Sequence, residues 1–142
     1  MFEFWTKVHS DGVIFSAIRE KDDKGYYFEI VNSCVNYVVK EIQTNVYPMF
    51  CYDKVEYFEW TYLSLGVQCG DGFHQAGVTI NDKYQDLVQV HKAIDYPEPK
   101  MKHVIGALWS NDTYTRHFRG FISQAQIWLG AFNEKAMQSH IS

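Results

Sequence analysis

Short β-favouring runs, each closed by a cluster of turn formers, follow one another along nearly the whole chain, and that punctuation leaves room for little but sheet. The run "MFEFWTKV" is followed by "HSDG", "VIFSAIRE" by "KDDKG" and "YYFEIV" by "NS", the mark of an antiparallel meander. "CVNYVVKEIQ" continues it, and Pro48 then interrupts a looser aromatic stretch. "VEYFEWTYLSLGVQC" is the longest strand candidate, "CGDG" is a turn, and "AGVTIND" with "KYQDLVQVHKA" reads as a hairpin around Asn81 and Asp82. "DYPEPK" is a loop, because two prolines so close cannot sit inside a ladder. After it come the strand "HVIGALW", the polar loop "SNDTYTRH" and the closing strand "FRGFISQAQIWLGAF". Only "NEKAMQSHIS" reads as helix, with Asn133 as N-cap and Glu134 in the first turn. The expected fold is all-β: a two-sheet antiparallel β-sandwich or jelly roll with a short C-terminal helix.

The closing strand contains a phase error. Phe118, Gly120 and Ile122 share one parity, whereas Ala125, Ile127 and Leu129 share the other, so a strictly alternating strand cannot send both sets to one core. A β-bulge near Ser123 and Gln124 repairs this, because one extra residue flips every later side chain. The expectation is a bulge there, with Ile122 and Ile127 both buried and Gly120 admitting a neighbouring strand at close range. Core packing is likewise expected for Trp5, Trp60 and Trp128.

Aromatic residues make up 17% of the 142 positions, a surplus that suits pleated, half-buried surfaces better than helices. The length fits one domain with its own core. A net charge of -4, with both signs spread along the chain, offers no basic stripe to neutralise phosphates, which argues against nucleic acid as a partner. No apolar run approaches the length of a bilayer span, and direct membrane insertion is not expected. "MFEFWTKV" alternates like a strand and lacks the regions of a signal peptide, so either the protein is cytosolic or Met1 opens a piece of something longer. Cys34, Cys51 and Cys69 form no C-x-x-C pair, which leaves one disulfide with a free thiol, or three reduced and mostly buried cysteines.

Five stretches in order resemble the laminin G-like jelly rolls of the concanavalin A-like lectin and glucanase superfamily. The closing strand is similar to theirs in Phe118, Gly120, Ile122, Ile127 and Trp128. "FEFWTKV" resembles the first core strand, "WTYLSLGV" over 60–67 the central strand, "VTINDK" the strand with a Val-x-Val-Asp-Gly type turn, and "VIGALW" the Ile-Gly strand before the last. Asp82 replaces the turn glycine, and the family's usual first strand has no counterpart before "FEFW". The resemblance spans residues 2–129 and implies one laminin G-like domain over 1–142, part of a longer protein.

Catalysis finds little footing on that template. The related glucanases carry Glu-x-Asp-x-x-Glu on one strand, so that one carboxylate serves as nucleophile and another as general acid. The nearest stretch here, "EKDDKG", has Gly25 in place of the last carboxylate and lies in a turn. Six histidines form no His-x-x-x-His pair, and there is no Gly-x-Ser-x-Gly or phosphate loop. The chain is therefore expected not to be an enzyme. What the resemblance implies is a carbohydrate- or protein-binding module of a larger extracellular or surface protein. The alternative is a structural interaction domain, without a small ligand, inside a large assembly.

Binding residues concentrate on loops, and "CGDGFHQ" and "SNDTYTRH" are the loops richest in oxygen donors and aromatics. Laminin G-like and lectin relatives often hold one Ca²⁺ on edge loops through Asp and Asn oxygens, the hard ligands that ion requires. Asp71, Asp82, Asn111 and Asp112 are candidate donors; if the two loops meet, Asp71, Asn111 and Asp112 would form the set. Such turn residues also occur for backbone reasons alone. Trp109 and Tyr114, with His74 in the other loop, are the candidate sugar contacts. Asn111 to Thr113, "NDT", is also an N-glycosylation sequon.

Overall fold

The computed structural model describes residues 2–40, 45–46, 49–50, 54–70, 73–90 and 101–127. Their strands are β1 (Phe2–Ser10), β2 (Gly12–Arg19), β3 (Gly25–Val31), β4 (Cys34–Lys40), β5 (Asn45–Val46), β6 (Met49–Phe50), β7 (Trp60–Gly70), β8 (Phe73–Ile80), β9 (Lys83–Val90), β10 (Met101–Ile105), β11 (Leu108–Ser110), β12 (Thr113–Thr115) and β13 (Arg119–Ile127). The described residues are all-β, and the segment expected to be helical, 133–142, lies outside them.

Two antiparallel sheets stack. One has the order β13-β1-β7-β8-β9; the other runs β10-β2-β3-β4-β5, with β6 also on β4. A meander holds only in pieces, from β2 to β5, from β7 to β9 and from β11 to β12. β1 leaves its chain neighbour β2 and pairs with β7 and β13, because consecutive runs must change sheets for two apolar faces to meet. The pleat of β1 sends Phe2, Phe4, Thr6 and Val8 inward, opposite Leu65, Leu63 and Thr61 of β7. Facing them across the core are Phe15, Phe28, Ile30, Val35 and Tyr37 of the second sheet. Cys34, at the start of β4, is disulfide-bonded.

β2 is buried on both faces. A bulge between Val13 and Phe15 sends Ile14 and Phe15 together into the main core while Val13 turns outward. On that outer face Val13, Ile18, Tyr27 and Val38 form a second apolar cluster with Leu108 and Trp109 of β11. The β11–β12 hairpin thus makes a third layer, and two readings of the sequence need correction here. "HVIGALW" is not one strand: Gly106, at φ 90, breaks it into β10 and β11. Its N–H donates to Ile14 O at 2.9 Å, and its carbonyl accepts from Phe118 N at 2.8 Å. Nor is "SNDTYTRH" only a loop, since Asn111 and Asp112, at φ 50 and 59, make a two-residue turn that pairs Ser110 with Thr113.

The closing strand has its bulge. Glu3 pairs with Gln126 while Trp5 pairs with Ser123, so Gln124 and Ala125 together oppose Phe4, and Gln124 takes φ 56. Ile122 packs against the core. Ile127 does not stay buried: it is 58% exposed, although it lies opposite the buried Phe2. The reason is position, because β13 is the edge of its sheet and its far side has no neighbouring strand among the described residues. Gly120 meets its expectation, since a Cβ there would lie 2.0 Å from the carbonyl oxygen of Lys7.

Candidate functional site

The pleat that buries the even residues of β1 puts Glu3, Trp5, Lys7 and His9 on the outer face of the five-stranded sheet. Register then sets Trp5 between Tyr62 and Ser123, and Lys7 between Trp60 and Phe121. Trp5, Trp60, Phe121 and Phe58 are 40%, 50%, 57% and 62% exposed. Their rings are joined through neighbours: Trp5 meets Tyr62 edge-on at 5.6 Å, Trp60 lies 6.5 Å from Phe121, and His9 lies 5.4 Å from Phe121 and 5.0 Å from Phe58. This corrects the expectation that Trp5 and Trp60 pack in the core. The parity of the sequence carries part of the signal, for Trp5 alternates in phase with Lys7 and His9 and out of phase with Phe2, Phe4 and Val8.

Between the two tryptophans lies a shallow cleft of about 250 Å³, lined by Trp5, Trp60, Ser123 and Gln124. The Ser123 hydroxyl and the Gln124 amide have no hydrogen-bond partner among the described residues. Beneath the cleft the floor is fixed. The Tyr62 hydroxyl donates to Glu3 Oε2 at 2.5 Å, and burial, then this carboxylate, pushes the phenol up to about 12. Phe58 takes φ 66 and is held by its N–H on Val8 O at 2.8 Å. Large side chains rarely adopt that backbone, so Phe58 and Gln124 place two strained positions at the border of one face.

The residues singled out on loops sit elsewhere. Trp109 is 5% exposed, pressed into the second apolar cluster. Tyr114, its cross-strand partner, is exposed, but Lys102 Nζ lies over both rings, 5.2 Å from the Trp109 centroid and 5.4 Å from that of Tyr114. Asn111 uses its N–H on Asp23 Oδ1 at 3.1 Å, and Asp112 completes the turn. Asp82 is exposed in the β8–β9 turn. Asp71 lies outside the described residues, as does the side chain of His74, whose backbone belongs to β8 of the five-stranded sheet. No group of three or more His, Cys, Asp or Glu converges among the described residues. Asn111 and Asp112 alone do not supply the six to eight oxygens that Ca²⁺ takes.

No family model matches this chain, and no curated protein matches it. Among solved structures it is similar to a heptameric SAP-like pentraxin from Limulus polyphemus, at 18% identity and a TM-score of 0.68, over 99% of this chain and 68% of that one. At such identity the likeness shows the fold alone. What the two share is an antiparallel two-sheet β-sandwich, which is compatible with the concanavalin A-like resemblance of the sequence and does not single out the laminin G-like branch.

Proposed function

We propose that this chain is a non-enzymatic carbohydrate-binding module, that it takes its ligand on the aromatic outer face of the five-stranded sheet, and that it serves within a larger extracellular or surface protein. The observation that carries this reading is the cleft between Trp5 and Trp60. A pyranose offers an apolar C–H face and a rim of hydroxyls. Exposed indoles match the first, and the unpartnered Ser123 hydroxyl and Gln124 amide match the second. At about 250 Å³ the cleft is just below the range of about 300–1,000 Å³ typical of drug-sized ligands, which suits a single ring of a chain lying across an open face. Contiguous exposed apolar surface of this kind marks interaction sites on soluble proteins. The disulfide at Cys34 supports an oxidising compartment.

A second reading, a structural interaction domain without a small ligand, is favoured by the far end of the strip. There Phe58 and Phe121 are the most exposed of the four rings and border no unpartnered amide. A glycan array, followed by titration of tryptophan fluorescence, separates the two. Binding that is lost in Trp5→Ala and Trp60→Ala supports the module. A blank array, with self-association that Phe58→Ser abolishes, moves the assignment to the structural reading.

A further inference from the structure

The aromatic face carries charge of one sign that no carboxylate among the described residues answers. Lys7 stands mid-face, opposite Trp60 on one side and Phe121 on the other, and is partly exposed. Among the described residues its ammonium has neither a carboxylate nor any other hydrogen-bond partner. Arg119, two residues before Phe121 on β13, takes the same side by the pleat, is exposed and is also unpaired among those residues. Cations gathered here run against the acidic average of the chain, -4. Within β1, β7 and β13 the one carboxylate on this side is Glu3, buried and bonded to Tyr62. Glu56 and Glu59 are exposed, but in the loop before β7 that carries Phe58.

Rings beside an unpaired ammonium call for a ligand that is apolar on one face and anionic at one edge. Resting on the glycan reading above, we propose that the ligand is an acidic polysaccharide of the uronic acid type, its rings stacked on Trp5 and Trp60 and a ring carboxylate paired with Lys7. Such a polymer has one carboxylate per ring, which two cations on a small face can answer. A densely sulfated chain would need a basic stripe that this acidic protein lacks. Lysine suits the task, as a point charge with three rotatable donors that can follow a carboxylate free to turn on its ring.

The test compares oligomers of polygalacturonate and polymannuronate with their methyl esters and with a neutral glucan oligomer, read by tryptophan fluorescence. Esterification keeps the ring and removes the charge. The wild-type protein should bind the acid forms about three- to fivefold more tightly than the esters, the worth of one partly exposed ion pair, and salt should erode that margin. Lys7→Gln should lose most of that margin, and Arg119→Gln a smaller part of it. Equal binding of both forms by the wild type, or a preference for the neutral oligomer, overturns the acidic assignment and leaves the glycan reading standing. Binding to none of the oligomers overturns the glycan reading itself. Tighter binding of dextran sulfate, or of anionic lipid vesicles, overturns the uronate in favour of that ligand.

Discussion

Trp109 and Trp5 occupy opposite outer surfaces of the sandwich, and they meet opposite environments. Over the six-stranded sheet the β11–β12 hairpin folds back and seals Trp109 against Val13, Ile18, Tyr27 and Val38. Over the described part of the five-stranded sheet no hairpin does the same for β1, and Trp5, Trp60 and Phe121 stand 40–57% exposed. A strand's alternation decides which side chains leave the main core; whether they then meet water or a third layer depends on a segment distant in sequence. One face uses its aromatics for stability, and the other leaves them exposed.

The largest consequence is energetic. Trp109→Ala removes a buried ring from a small closed cluster and should cost about 3–5 kcal/mol, whereas Trp5→Ala or Trp60→Ala should cost no more than about 1.5 kcal/mol, the worth of aromatic contacts beyond burial. Urea unfolding of the three variants checks this. Similar losses for all three would erase the contrast between the two regions. Glycan affinity should fall in the opposite order, with Trp109→Ala, where it folds, binding as the wild type does.

The sandwich was legible in the alternation and turn chemistry of "MFEFWTKV", "YYFEIV" and "VTINDK", and so was the Gln124 bulge, because phase is a local property. The exposed Trp5 was legible too, in its parity with Lys7 and His9, but the apolar nature of indole hides that signal if burial is read from residue type alone. Trp109 was not. Its neighbours "SNDTYTRH" are polar and turn-forming, and nothing local reports that Gly106 bends the chain onto the far side of β2. Ile127 fails for the same kind of reason, since edge position is set by strand order and not by alternation.

The clasp that holds the hairpin in place should be the next largest effect. Asp23, in the β2–β3 turn, accepts from Lys40 Nζ, from Ser110 Oγ at 2.8 Å and from Asn111 N–H at 3.1 Å. Asp23→Ala should cost about 1–3 kcal/mol and loosen the Trp109 environment in near-UV circular dichroism, while leaving glycan binding intact. Burial opposes the charge on Asp23, but these hydrogen bonds outweigh it and hold the carboxyl below its ordinary 3.8. A depressed folded value means stability that is present above pH 3.8 and is lost as pH falls through the lower folded value. Acid should therefore loosen the hairpin, and Asp23→Asn should flatten that loss.

Alkali acts on the other region. Tyr62, beneath Trp5, has its phenol raised from 10.0 to about 12, first by burial and then by the Glu3 carboxylate. Tyr57, which donates to Asp11 and accepts from Ser33 N–H at 3.2 Å, is raised in the same direction by burial and then by Asp11. A raised folded value means stability that is fully present below pH 10 and is lost as pH climbs toward the folded value. Thermal unfolding should hold steady to about pH 10 and fall beyond it, and Tyr62→Phe should weaken that dependence. A loss in the alkaline limb that is identical in Tyr62→Phe would place its origin outside the aromatic face.

The smallest effect distinguishes geometry from ligation at the hairpin turn. Asn111 and Asp112 both take positive φ, and Asn111 N–H is already engaged with Asp23. If the turn alone explains them, glycine, which adopts that backbone without strain, should substitute at each position with a change of only a few tenths of a kcal/mol, the relief of the left-handed conformation offsetting the added freedom of the unfolded chain. Were they calcium ligands, the same substitutions would remove any stabilisation that calcium confers, because an ion that binds only the native state raises stability by mass action. Thermal unfolding of wild type, Asn111→Gly and Asp112→Gly in calcium and in chelator decides between them. The expected result is that the melting temperatures of the variants stay close to that of the wild type in both conditions. A calcium-dependent gain that is present in the wild type and absent from both variants would return metal binding to this turn, and would give the hairpin a ligand role beside that of the aromatic face.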